Sequence, residues 1–245
     1  MSALSPLRTL EPLNRPSVAD NVFDQLHSQI LLLELPPGTK MSEVDVAKAL
    51  GVSRQPVRDA FYRLSKLGFL SIRPQRATLV SQISSTGVLQ ARFVRNALEA
   101  ETVRTACRVL TKQDHEALDE VLDKQRQAVE SKDAVAFHGF DDRFHNEICD
   151  RAGLGFAWDI IRENKAHMDR VRFLSLSFAS QGAFNDHLEI MDAIRAHDEE
   201  RAMHHMRVHL SRIKEQIVRI RADHQQTDIP VDRRMHDRNG TNRIR

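Results

Sequence analysis

The chain has 245 residues, 41% hydrophobic and 29% charged, with a formal net charge of +2. That balance permits a packed core and argues against wholesale disorder. No stretch approaches 18 uninterrupted apolar residues, which excludes a membrane span by a single helix.

The N-terminal MSALSPLRTLEPLNRPS has no continuous apolar run, so a secretory signal is not expected. The two cysteines, Cys107 and Cys149, fall inside helical patterns rather than a disulfide framework, and a cytoplasmic setting follows. Charge is unevenly spread. Residues 54–76 carry Arg54, Arg58, Arg63, Lys66, Arg73 and Arg76 against Asp59 alone, whereas residues 81–222 hold 21 basic and 23 acidic side chains. A concentrated basic stretch suits a polyanionic partner, although a solvated face has the same composition.

In chain order, residues 1–17 contain three prolines and read as a flexible arm. Val22, Leu26, Ile30 and Leu33 recur at helical spacing from Val18 to about Leu35. PPGT at 36–39 stops that helix. Ser42 is placed to cap a second one, with Asp45 three residues on as a rough capping box and Val44, Val46, Ala47 and Leu50 on its buried side. Gly51 fits the left-handed position that ends a helix. Ser53 is placed to cap a third helix, Pro56 falls harmlessly in its first turn, and Val57, Phe61 and Leu64 form its apolar stripe. FLSIRPQRATLVSQI then alternates as strand, turn and strand, a small hairpin. Residues 18–80 are therefore expected to form a winged helix-turn-helix.

Residues 81–87 read as a linker. Beyond it, helices are expected at 87–110, 112–131, 133–152, 155–178, 184–197 and 199–222. The fold class is mainly α, with a six-helix all-α bundle over 88–222. Residues 223–245 are polar and arginine-rich without an apolar stripe, and disorder is expected there.

A recognition helix presents its N-terminal residues to base edges. Arg54, Gln55 and Arg58 stand at the start of the third helix, where arginine can pair with guanine and glutamine with adenine. Arg63 and Lys66 suit phosphates, and Arg73 and Arg76 on the hairpin suit a neighbouring groove or backbone. The alternative is a helix-turn-helix used only for packing. PPGTKMSEVDVAKALGVSRQPVRDAFYRLSKLGFLSIRPQRATLV resembles the DNA-binding domain of GntR-type transcription regulators over all of 18–80. Ala77 departs from that pattern, which usually has glycine in the hairpin turn. A positive φ there would cost about 1 kcal/mol or change the turn.

The second half is rich in histidine, so chance spacings are expected. FDDRFH places Asp141 and His145 four apart on one helix face. His187 and His209 each lie among apolar residues. One carboxylate and three imidazoles facing into a bundle suit a divalent ion such as zinc. His205 rivals His209 and Asp142 rivals Asp141 on spacing alone.

RNALE, DDRFHNEI, DHLEIMDAI and AMHHMRVHL are similar, in order and separation, to the FCD ligand-binding domain of FadR-like GntR regulators. The resemblance implies a metal on Asp141, His145, His187 and His209, and a small organic acid as effector. Six helices look more like the VanR-type branch, and Ala152-Gly153-Leu154 stands where the family often has Ala-Gly-Asn. Arg95 is the first choice for clamping a carboxylate, Arg172 the second and Arg92 the third; an Arg95–Glu99 pair at i,i+4 is the bland alternative. The expectation is a dimeric, effector-responsive regulator on a palindromic operator, most simply a repressor and not an enzyme. Two rivals stay open: a metal-dependent hydrolase or lyase, and a metal-free regulator whose histidines bind the effector directly.

Overall fold

A computed structural model of the protein describes residues 16–72 and 77–224. Residues 1–15 of the arm expected at 1–17, residues 73–76 at the hairpin turn, and residues 225–245 of the tail expected at 223–245 lie outside the described residues; 223 and 224, expected in that tail, end the last helix.

Helix α1 (Val18–Leu31) is capped by Ser17 in a reciprocal capping box with Asp20. It buries Val22, Leu26 and Ile30 as their spacing predicts, and ends four residues before the expected Leu35. Leu33 then turns back with φ 59°. A strand that periodicity does not announce, β1 (Lys40–Met41), follows PPGT. Helix α2 (Glu43–Leu50) is capped by the Ser42 hydroxyl, which accepts from the Val44 and Asp45 amides, and closes on Gly51 at φ 66°. Ala47 is its buried residue, whereas Val44, expected inside, is 52% exposed. Helix α3 (Arg54–Lys66) buries Val57, Ala60, Phe61 and Leu64. Ser53 holds the extended N-cap backbone, but its hydroxyl makes no capping hydrogen bond.

The hairpin strands are β2 (Leu70–Ser71) and β3 (Thr78–Val80). β3 lies between β1 and β2, antiparallel to both. The wing is thus a three-stranded sheet rather than a bare hairpin. It shares one core with α1, α2 and α3, into which Ala166 from the second half also inserts.

The second half is all-helical: α4 (Ser85–Val109), α5 (Lys112–Glu130), α6 (Ala134–Arg151), α7 (Gly155–Asn164), α8 (Ala166–Arg195), α9 (Glu199–Ser211) and α10 (Ile213–His224). The bundle class stands, and three boundaries move. Gly182, expected in a break, lies inside the 30-residue α8, and the real break is Lys165. The expected helix 199–222 divides at Arg212 into α9 and α10, so seven helices are described where six were expected. The linker shortens to 81–84, because Ser84 caps α4 through the Gly87 amide.

The main core is gathered by α4, α5, α6, α8 and α9 around Val103, Leu118, Phe144, Ile190 and Met206. The beginnings of α4 and α8 meet closely under the linker. The Ser84 amide donates to His167 Nδ1 at 3.4 Å, and a Cβ on Gly87 would stand 2.5 Å from the His167 ring. Cys107 and Cys149 are buried free thiols, pushed by burial up to about 11 and about 12.

Candidate nucleic-acid interface and metal centre

The start of α3 separates two faces. Its apolar stripe is held by α1 and α2, and Arg54, Gln55 and Arg58 point out. Both arginines turn back to one carboxylate, Glu43 at the start of α2, at 3.6 and 3.2 Å. Gln55 Nε2 donates to Asp59 Oδ1 at 2.9 Å. Exposed pairs of this kind contribute at most about 1 kcal/mol, so a phosphate or base edge competes with Glu43 easily. Arg63 is more firmly engaged: it pairs with Asp20 at 2.8 Å and lies 4.1 Å over the Phe23 ring. Lys66 is exposed, over Tyr62 at 5.4 Å. Arg73 and Arg76 lie outside the described residues.

Asp141, His145, His187 and His209 come together in the bundle. All four are buried, and one ligand atom from each lies within 4.8 Å of the others. His187 Nε2 is 3.4 Å from His209 Nε2 and 3.6 Å from Asp141 Oδ1. Tetrahedral ligands about 2.0–2.1 Å from zinc stand about 3.4 Å apart, so this spacing is close to that of a loaded site.

Three further residues hold the imidazoles. His145 Nδ1 meets Glu99 Oε2 at 2.5 Å, His187 Nδ1 meets Gln125 Oε1 at 2.8 Å, and His209 Nδ1 lies 3.4 Å from Asp186 Oδ2. His187 is thus fixed through Nδ1 by Gln125, and the Nδ1 atoms of His145 and His209 each have a carboxylate beside them, as outer partners stand by metal-binding histidines. His145 Nε2 is buried without a protein hydrogen-bond partner, and the buried Asp141 carboxylate stands against the Arg172 guanidinium. Burial, with the other histidines, holds His187 well below its ordinary range, and burial takes His209 down to about 4. Both rings are therefore neutral near pH 7, the form a metal requires. On these grounds the residues fit a divalent ion.

The rivals fall outside this cluster. His205 is partly exposed, 3.9 Å from Glu189. Asp142 pairs instead with Lys165 at 2.6 Å, and Lys165 also holds Asp169 at 2.7 Å. The group His138, Asp142 and Asp169 resembles a second ligand set, but the Lys165 ammonium fills it.

Of the arginines expected to clamp an acid, Arg172 contacts Asp141 directly and lies 3.7 Å from Asp142. Burial, then the nearby Arg95 charge, takes Arg172 down to about 9. Arg95 is fully buried and forks onto Glu99. The i,i+4 pair exists, but inside the core rather than on a helix surface. Burial raises the Glu99 carboxyl, and Arg95 and His145 overcome that effect and hold it well below its ordinary range. Arg92 reaches Ser211 at 3.4 Å. A cavity of about 30 Å³, room for about two waters, is lined by Arg95, Arg172, His209, Arg212, Gln216 and apolar neighbours.

Glu99, Gln125 and Asp186 were not named as site residues from the sequence, yet two of them leave a trace. Gln125 sits in the α5 stripe Leu118, Val121, Leu122, Gln125, Ala128, and Glu99 in that of α4. A polar group at a core position signals a buried partner.

Residues 18–80 match the bacterial regulatory proteins of the gntR family, and residues 90–212 match the FCD domain. The chain belongs to the GntR family. This GntR protein is 34% identical over 225 residues to the HTH-type transcriptional repressor RspR of Escherichia coli K12, covering 91% of this chain and 96% of that one. It is 35% identical over 210 residues to the HTH-type transcriptional regulator YdfH of Escherichia coli O6:H1, covering 85% and 92%. The solved structure of Escherichia coli McbR/YncC superimposes with a TM-score of 0.69 at 25% identity, covering 85% and 99%. These relatives are named as transcription regulators, and with its winged helix-turn-helix this GntR protein is a DNA-binding regulator rather than an enzyme. No helix among the described residues is long and apolar enough to cross a membrane.

Proposed function

We propose that this GntR protein is a cytoplasmic, homodimeric repressor whose hold on a palindromic operator is altered by a small organic acid bound beside a divalent metal, zinc by its ligand set. The observation that carries the reading is the arrangement of three buried imidazoles, each with an outer oxygen beside its Nδ1, around Asp141. Repression follows the printed role of RspR. Dimerisation follows from the two half-sites of a palindrome, and Leu89 and Phe93, exposed four apart on α4, give a second copy an apolar stripe to cover.

Asp141, His145, His187 and His209 would hold the metal, which supplies an open Lewis-acid position for one carboxylate oxygen. The rest is done by the chain. Were Asp141 to hold a metal, Arg172 would lose that partner and become a buried cation in need of an anion. Arg172 also faces Asp142, Asp142 holds Lys165, and Lys165 opens α8 beside Ala166 in the DNA-binding core. An acid that moves Arg172 therefore acts on the element that seats the winged domain. A shift in operator affinity needs a coupling of about 1–3 kcal/mol.

Arg54, Gln55 and Arg58 are assigned to base edges, and Arg63, Lys66, Arg73 and Arg76 to phosphates or the neighbouring groove. The test is metal analysis of purified protein with operator titrations across a panel of small acids. Near-stoichiometric metal in the wild type, its loss in His145→Ala, and an acid-dependent operator affinity are expected. Metal content unchanged in His145→Ala refutes the ligand set. An acid response in metal-free protein favours histidines that bind the effector themselves.

A further inference from the structure

Glu43 pairs with both arginines at the start of α3, and it holds them differently. Arg58 donates to a single Glu43 oxygen, Oε2, through Nε at 3.3 Å and through Nη2 at 3.2 Å. Arg54 brings only Nη2 towards that oxygen, at 3.6 Å, which is too long for a hydrogen bond. Arg58 is thus gripped on its Nε side, and the outer edge of its guanidinium stays open. That edge, Nη1 with the second hydrogen of Nη2, carries the two donors that guanine O6 and N7 accept. A guanine taking it has no need to displace Glu43. The carboxylate itself has a fixed origin. Glu43 opens α2 after the Ser42 cap, in the first turn, where a negative charge suits the helix dipole. Ala47 of α2 shares one buried core with Val57 and Phe61 of α3, which sets Glu43 against Arg58 before DNA arrives.

We propose that Glu43 is a positioning residue for DNA recognition: it aims Arg58 at a guanine and disfavours binding without a matching base. The inference rests on Arg58 reading a base edge, and adds the residue that orients it. Two physical effects act together. A free arginine side chain loses rotamer freedom when it docks, and a side chain already held loses less. A carboxylate facing DNA also repels phosphates, and only a well-matched base contact offsets that repulsion. The first effect strengthens the correct complex, and the second weakens the others. Arg54, without a hydrogen bond to Glu43, keeps its freedom to follow a phosphate or a second base.

The test uses the full-length protein and two duplexes of equal length, one selected by the wild type from a random library and the other a scrambled copy. Affinities are measured at fixed salt for Glu43→Gln, alone and in Arg58→Ala and Arg54→Ala backgrounds. Glu43→Gln should lose about fivefold on the selected duplex, the scale of one exposed ion pair. On the scrambled duplex it should bind as tightly as the wild type or more tightly. The loss should vanish in the Arg58→Ala background and persist in Arg54→Ala. An equal change on both duplexes, in either direction, overturns the proposal, as does an unchanged affinity for the selected one. So does a loss that survives Arg58→Ala, because Glu43 would then act through another group. Arg58→Ala alone weakening both duplexes equally would instead refute the base-edge reading on which the proposal rests. Glu43 is only half-buried, so Glu43→Gln should fold, and a melting curve confirms it.

Discussion

Arg170 gives the sharpest prediction. It is fully buried in α8, its Nη1 donates to the Ser81 carbonyl at 2.6 Å, and its Nε and Nη2 have no partner. Ser81 belongs to the short connection between wing and bundle, and its own amide donates to Phe69 in the winged half. Burial takes the Arg170 guanidinium down from 12.5 to about 10. At about 1.4 kcal/mol per pH unit, carrying this charge in the fold costs about 3 kcal/mol. The charged hydrogen bond to Ser81 returns about 1.5–3 kcal/mol. Arg170→Met keeps most of the stem volume and removes both contributions, so urea unfolding at pH 7.5 should show a change between zero and about 2 kcal/mol of added stability. The response should change more than the stability does. With Ser81 released from α8, the effector-dependent difference in operator affinity should shrink. A loss of more than about 2 kcal/mol in Arg170→Met would refute the view that this charge is uncompensated, because a residue that costs stability cannot be missed so heavily.

Two further outcomes are expected from other parts of the chain. Arg58→Ala should weaken operator binding more than nonspecific binding, by about 1–3 kcal/mol, measured by competition at fixed salt; an equal loss on both reassigns Arg58 to a phosphate. His27 is depressed from 6.5 to about 4 by burial and by Lys165, against Asp142 and Asp24, so its contribution is full above pH 6.5 and lost as the pH falls towards 4. The loss is at most about 3 kcal/mol, and His27→Leu should flatten the stability–pH curve in that window; parallel curves would exclude His27 as its source.

The local signals that marked helix ends in the winged half were strong: a glycine able to take φ 66°, a serine cap at 42, and an uninterrupted stripe on α3. Helical spacing among apolar neighbours pointed to the Asp141–His145 face, and the FCD resemblance, not spacing, preferred His209 to His205 and Asp141 to Asp142; the fold brings those four together. What escaped was set by tertiary contact. Gly182 reads as a breaker, yet the flanking residues of α8 pack well enough to carry it through a helix at a cost of about 1 kcal/mol. The true break at Lys165 has no glycine or proline. It lies where an ammonium is pulled inward between Asp142 and Asp169, and only the folded bundle brings those carboxylates there. Likewise nothing in the spacing of Gln125 and Asp186 tells which histidine each will meet, because they lie 62 residues from His187 and 23 from His209 in the chain.

The buried ions around Lys165 also explain how one polypeptide can be both rigid and responsive. A hydrophobic junction of equal size would be at least as stable, since buried ion pairs gain little over good packing. It would, however, have no preferred partner to exchange. Lys165 is held above its ordinary range by Asp142 and Asp169 despite burial, and Asp142 is held down to about 2 against burial by that same ammonium, while Arg172 stands ready on its other side. Displacing Arg172 leaves Asp142 with Lys165 as its cationic partner. On the proposed reading, an anion that engaged Arg172 would act on this network, and an operator response requires a coupling of about 1–3 kcal/mol. Ala166, the residue after Lys165, is part of the winged half's core, so this network adjoins the packing of that half.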